Sequence, residues 1–189
     1  YENWIKNLRK VVISETSPLT FKNGKWKFID RIGGFEKLST LYFDNHLQKL
    51  KEVSEEILTE LDPKFELKPD ERFAAQANGK VLKHSYSIRN GIAKSLAIIG
   101  SSHSIFTNTS ANNAELIVQS IIREVLKNSN WQLWASLDHL LPLLAETSPD
   151  EFLIILEKLI WTSSSVFSNL FEQEGDGITD GIYNSGMLW

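Results

Sequence analysis

Residues 131–161, WQLWASLDHLLPLLAETSPDEFLIILEKLIW, read as two antiparallel helices joined by a tight turn. Ser148 is placed to cap the second helix and Pro149 suits its first position. Glu151 completes an S-x-x-E capping box, which satisfies backbone N–H groups left unpaired at a helix start. Leu137, Leu140, Leu141 and Leu144 fall on one face of the first helix, and Phe152, Ile155, Leu156 and Leu159 on one face of the second. Pro142, inside the first helix, is expected to kink it. A hairpin with two apolar faces cannot bury both by folding on itself and needs neighbours. The stretch therefore predicts a mainly α fold, an irregular, solenoid-like array of helical hairpins.

The rest of the chain is consistent with such an array. Its 189 residues are enough for one sizeable core or four or five hairpins in a row. An apolar content of 42% and a charged content of 23% describe an ordinary folded protein. No apolar run reaches the roughly 18–20 residues of a bilayer span, and no secretory or lipidation signal is visible, so no membrane partner is expected. Cysteine is absent, which excludes disulfides, thiolate metal sites and Cys nucleophiles, and suits a cytoplasmic location. Tyr1 at one end, and Gly186-Met187-Leu188-Trp189 at the other, predict a piece excised from a longer protein. We read 1–189 as one helical domain with a subdivision point near 101–113. Charge is uneven: residues 1–94 carry +4 and residues 95–189 carry −8.

One strand signal interrupts the helical pattern. After an amphipathic helix at 3–13, residues 19–29 (LTFKNGKWKFI) alternate around Asn23-Gly24, a type I′ turn pair. Phe21, Trp26 and Phe28 share one face of this hairpin, expected to pack on a helix; Lys22, Lys25 and Lys27 share the other. Further helices are expected at 34–43, at 44–61 with Asp44 as N-cap, from Pro69 to Asn78-Gly79, at 84–99 with Gly100 as its stop, and at 113–127 capped by Asn112 or Asn113. Ile88 and Leu116 are placed on inward faces. Residues 63–69 read as an extended connector, 101–113 as a surface loop pinned by Ile105 and Phe106, and 166–171 as a short helical turn. The six tryptophans are expected mainly in the core or between hairpins.

No set of residues for catalysis emerges. His46, His84, His103 and His139 lack the spacing that would put two imidazoles on one helical face, and read as surface or capping residues. Glu172, Glu174, Asp176 and Asp180 suggest a calcium loop, yet starting it at Glu174 or Asp176 puts Ser185 or Met187 where a bidentate Glu should sit. No phosphate loop, dinucleotide fingerprint or nucleophile elbow occurs. We expect no enzyme activity, no metal and no cofactor from these residues. The interaction candidates are Lys22, Lys25, Trp26 and Lys27 in the hairpin, with Glu174 and Asp176 in the acidic loop. Alternating cations and aromatics make nucleic-acid binding by the basic N-terminal region the alternative to a protein partner. The competing reading of the ribbon is a lysine-guarded edge whose rings belong to the core.

Residues 10–31 (KVVISETSPLTFKNGKWKFIDR), 137–146 (LDHLLPLLAE), 149–160 and 170–189 (LFEQEGDGITDGIYNSGMLW) together resemble a helical-repeat segment of large bacterial multidomain proteins. Those proteins are built around a P-loop NTPase core of the STAND type, and some are linked to defence against phage. The resemblance implies a regulatory or sensing scaffold attached to an ATPase, with other domains of the parent or a protein partner as its contacts. The matching residues are packing and turn motifs, so no ATPase function carries over to them.

Overall fold

Asn23 (φ 51°) and Gly24 (φ 75°) close the single hairpin of the computed structural model, which describes residues 2–13, 17, 19–127, 129–162 and 164–171. Positive φ at both central residues makes this the type I′ turn, which Asn-Gly adopts at low cost. Strands β1 (Leu19–Lys22) and β2 (Lys25–Phe28) pair antiparallel, with Leu19 opposite Phe28 and Phe21 opposite Trp26. Helix α1 (Glu2–Ile13) lies against β1.

The remaining elements are helical. Helix α2 (Arg31–Leu38) starts three residues before its expected position, because the Asp30 carboxylate accepts the Gly33 N–H at 2.9 Å and caps it. Then come α3 (Asp44–Leu58), α4 (Tyr86–Ser101) and α5 (Asn113–Leu126). The connector between α3 and α4 is neither extended nor α-helical. It forms two 3₁₀ turns, Pro63–Glu66 and Pro69–Ala74, each with a proline at its start where the missing N–H costs nothing. Arg72 pins this connector: its guanidinium stacks 5.2 Å from the Phe65 ring and 5.5 Å from that of Trp131.

The organising stretch is three helices. Helix α6 (Trp131–Leu137) ends in a 3₁₀ turn at Asp138–Leu140, and α7 (Leu141–Thr147) begins with Pro142 in its first turn. Proline thus breaks the expected first helix in two. Helix α8 (Pro149–Thr162) follows, then α9 (Ser164–Phe171), a full helix where a short turn was expected. Among the described residues no side-chain hydrogen bond of Ser148 or Glu151 completes the expected capping box; the start of α8 carries the Phe152 N–H to Ser148 carbonyl bond at 3.0 Å. Glu151 instead takes Arg123 of α5 through Nε at 3.1 Å and through Nη2, stapling α5 to α8.

The core is continuous from Leu47 of α3 through Leu96 of α4, Ile121 of α5 and Trp134 of α6 to Leu144 of α7 and Phe152 of α8. All four leucines of the 137–144 face are buried. Two expectations fail by one helical position. Ile88 is exposed because the inward stripe of α4 runs through Arg89, Ala93, Leu96 and Ala97. Leu116 is exposed because that of α5 runs through Ala114, Val118, Ile121 and Val125.

Gly100 does not stop α4; it sits in the last turn, where α7 crosses. A Cβ built there would overlap the Thr147 carbonyl oxygen, whereas one on Gly91 would meet open space. The two glycines should therefore respond with opposite signs. Gly100→Ala is expected to destabilise by about 1–3 kcal/mol through overpacking, and Gly91→Ala to stabilise by about 0.5–1 kcal/mol through helix propensity. Urea midpoints at constant slope decide it; equal shifts of one sign would sink the crossing argument.

Candidate functional site

Polar side chains that look chemically capable are committed to holding loops. Asp44 is the first residue of α3, not its cap; the capping hydrogen bond runs from the Phe43 N–H to His46 Nδ1 at 3.1 Å. The Asp44 carboxylate reaches across to the Ser/Thr/Asn-rich loop. It accepts the Ser110 N–H at 2.9 Å, the Ser110 hydroxyl, and the Asn113 side-chain amide at 2.6 Å. The Asn113 amide is thus committed to Asp44, and Asn112, at the N-cap with φ 58°, makes no side-chain cap hydrogen bond. Phe106 anchors the middle of the loop in the core, as expected.

The Ser110 hydroxyl, then its N–H, then Asn113 hold the Asp44 carboxyl below the usual aspartate range. A folded-state pKa below the unfolded one means the clamp stabilises at neutral pH and is lost as pH falls through the folded value. The Ser110 amide proton shift should therefore titrate with a midpoint below the ordinary aspartate range, and Asp44→Asn should abolish that titration. A midpoint at the ordinary aspartate value would refute the clamp.

A second cluster lies where α3, α4 and α6 meet. Glu60 accepts the N–H groups of Lys83 and His84 and lies 2.8 Å from His84 Nδ1. Arg89, only 2% exposed, donates through Nη1 to the Glu60 carbonyl at 3.1 Å and through Nη2 to the Ser136 carbonyl at 3.0 Å. The Asp62 N–H donates to Ser136 Oγ at 2.8 Å. This is an ionic brace, in which the Ser136 hydroxyl donates to the Gln132 carbonyl at 2.6 Å and accepts the Asp62 N–H. His103 sits 3.2 Å from the Gly100 carbonyl, and His139 packs edge-on to Tyr86. Among the described residues no three acidic or imidazole groups gather to hold a metal, and no helix is long and apolar enough to cross a membrane.

The interaction candidates divide. Lys22 and Lys27 are exposed and, with Thr20, Phe28 and Ile29, line a shallow concavity. Lys25 and Trp26 belong to β2, opposite Lys22 and Phe21. Glu174 and Asp176, with the rest of the acidic loop, lie outside the described residues. Helical cover of the aromatic face is only partial, since Phe21 and Phe28 remain about half exposed.

Two apolar surfaces escaped the sequence reading. One is a groove whose near wall is Phe28, Ile29 and Ile32 and whose far wall is Ala97 and Ile98 of α4 with Leu143 of α7. Ile29 is 70% and Ile32 55% exposed. Asp30, Arg31, Lys94 and Glu146 also line it. The other is the outer side of α8, where Leu153, Ile154, Ile160 and Trp161 are exposed, Trp161 at 81%. The local signal for the groove was Ile29 and Ile32 flanking a cap, with no helical face of their own to join. Compared with known protein families, curated proteins and solved structures, the chain shows no significant match.

Proposed function

We propose that the chain is a non-catalytic helical scaffold that makes protein–protein or interdomain contacts within a larger cytoplasmic bacterial protein. One observation carries the reading. Between Phe21 and Phe43, seven large apolar side chains are exposed (Phe21, Phe28, Ile29, Ile32, Leu38, Leu41 and Phe43), while the polar clusters of the helical body brace the fold. Exposed apolar groups concentrated in one stretch suit a contact surface, and stacked hairpins transmit small rotations to whatever they touch. The resemblance to STAND-type NTPase segments supplies a setting: a sensing or regulatory arm beside an ATPase. A photoactivatable residue at position 29 or 161 of the full-length parent should crosslink to a defined protein surface, and one at exposed Gln48 should not. Equal labelling at all three positions, or none, would remove the scaffold reading.

A second reading, nucleic-acid binding, is favoured by the contact between α1 and β1, which sets the helix carrying exposed Lys6, Arg9 and Lys10 beside the hairpin carrying exposed Lys22 and Lys27. Binding would be steeply salt-dependent and lost on Lys22→Glu with Lys27→Glu. Flat anisotropy with single- and double-stranded oligonucleotides at low salt would dispose of it.

A further inference from the structure

The apolar groove and the lysine-lined concavity share Phe28 and Ile29, so they form one surface with an apolar half and a cationic half. We propose that this surface docks an acidic peptide segment with apolar anchors, belonging to a protein partner; the proposal rests on the scaffold reading and gives its partner a chemistry. The apolar half accepts side chains between Ile32 on one wall and Ala97 and Leu143 on the other, where the small Ala97 leaves depth. The cationic half presents Lys22 and Lys27 beside Thr20. Residues 19–43 hold five Lys/Arg against two Asp/Glu, a net +3, and Asp30 is occupied in capping α2. Lys94, in the groove lining, has no anionic partner among the described residues. Glu146 stands on the α7 side, so charge runs from negative there to positive at the hairpin and would orient the peptide with its carboxylates toward Lys22 and Lys27.

A nucleic acid is the poorer occupant. Its phosphates would have to run over the apolar walls and past Glu146.

The test uses the whole chain and fluorescein-labelled probes: a Glu-rich peptide with Leu and Phe anchors, its Glu→Lys and its Leu/Phe→Ser counterparts, and a single-stranded oligonucleotide. Only the acidic, anchored peptide should bind, more tightly at low salt. Ile32→Asp, at an exposed position that leaves the fold intact, should weaken it about tenfold or more. Lys22→Glu with Lys27→Glu should weaken it similarly and flatten its salt dependence. Leu153→Asp on α8 should change nothing. Equal binding of the basic peptide, indifference to Ile32→Asp, or displacement of the peptide by the oligonucleotide would overturn the proposal. Crosslinks from position 161 with no peptide binding would sink the groove and leave the scaffold standing. Peptide binding with no crosslink in the parent would do the reverse.

Discussion

Arg89→Ala is expected to lower folding stability by about 3–5 kcal/mol, because removing one member of a buried charged network strands the rest. The Glu60 and Ser136 carbonyls lose their donors at 3.1 and 3.0 Å, and no water-facing route replaces them at a site 2% exposed. Burial pulls the arginine pKa down while Glu60 and Asp62 push it back up, and an arginine stays charged under such opposing pulls. Its loss also removes the cation 3.8 Å from the Glu60 carboxylate, which keeps His84 at 2.8 Å, while Asp62 keeps Lys64 at 3.4 Å. Arg89→Lys keeps charge but not the planar fork that reaches two carbonyls at once, so it should recover only part of the loss. Arg89→Met restores packing without donors and should fall between Lys and Ala. Urea midpoints measure the series; an alanine cost under about 1 kcal/mol would show that the brace contributes nothing net.

The same brace has an acid-sensitive side. Burial raises the Glu60 pKa, but the His84 side chain and the N–H groups of Lys83 and His84 together hold it below the ordinary glutamate range. With the folded value depressed, Glu60 stabilises above the unfolded pKa and that contribution disappears as pH falls through the folded one. Arg89 and Glu60 thus join the ends of α3 and α6 to α4. That junction holds α4, one wall of the groove, in place.

How much of this was legible in sequence depends on whether a residue had one local use or two. Asn23-Gly24 had one, since few other pairs tolerate both positive φ values, and the hairpin register followed from it. The leucines of 137–144 and the start of α8 at Pro149 were equally plain. Asp44 and Glu151 each had two uses. A carboxylate near a helix start can cap it for about 1 kcal/mol or take a distant partner for a similar amount. Only the fold, by bringing up Ser110 and Arg123, decides between them. Gly100 looked like a terminator because nothing local reveals that α7 will cross there. Arg89 was invisible for a related reason: an arginine one step from an apolar stripe reads as solvated unless carbonyls from two other segments are known to converge on it. The groove draws its walls from three segments, 28–32, 94–101 and 143–146. No window of sequence contains it.

Trp134→Ala should be the second severe substitution, at about 3–5 kcal/mol and a fall in Tm of about 10 °C for a chain of this length. Trp134 is fully buried, its ring packs edge-on to Phe152 of α8 with centroids 5.9 Å apart, and Nε1 donates to Ser129 Oγ at 2.6 Å. Three contributions are therefore separable. Trp134→Phe keeps a ring against Phe152 and loses the indole donor with part of the volume, for an expected cost of about 1–2 kcal/mol. Ser129→Ala keeps the ring and strands a buried N–H, at about 1–3 kcal/mol. A double-mutant cycle between Trp134→Phe and Phe152→Leu should return a coupling of about 0.5–1.5 kcal/mol for the ring pair. The Trp134–Phe152 contact ties α6 to α8, whose other side carries the exposed Leu153, Ile154 and Trp161. Loss of that contact should raise amide exchange along α8 before it does so along α4, because the Trp134 ring packs directly on Phe152 of α8. A Trp134→Ala chain as stable as the parent would mean that residues 131–161 are not the element around which the other helices are assembled.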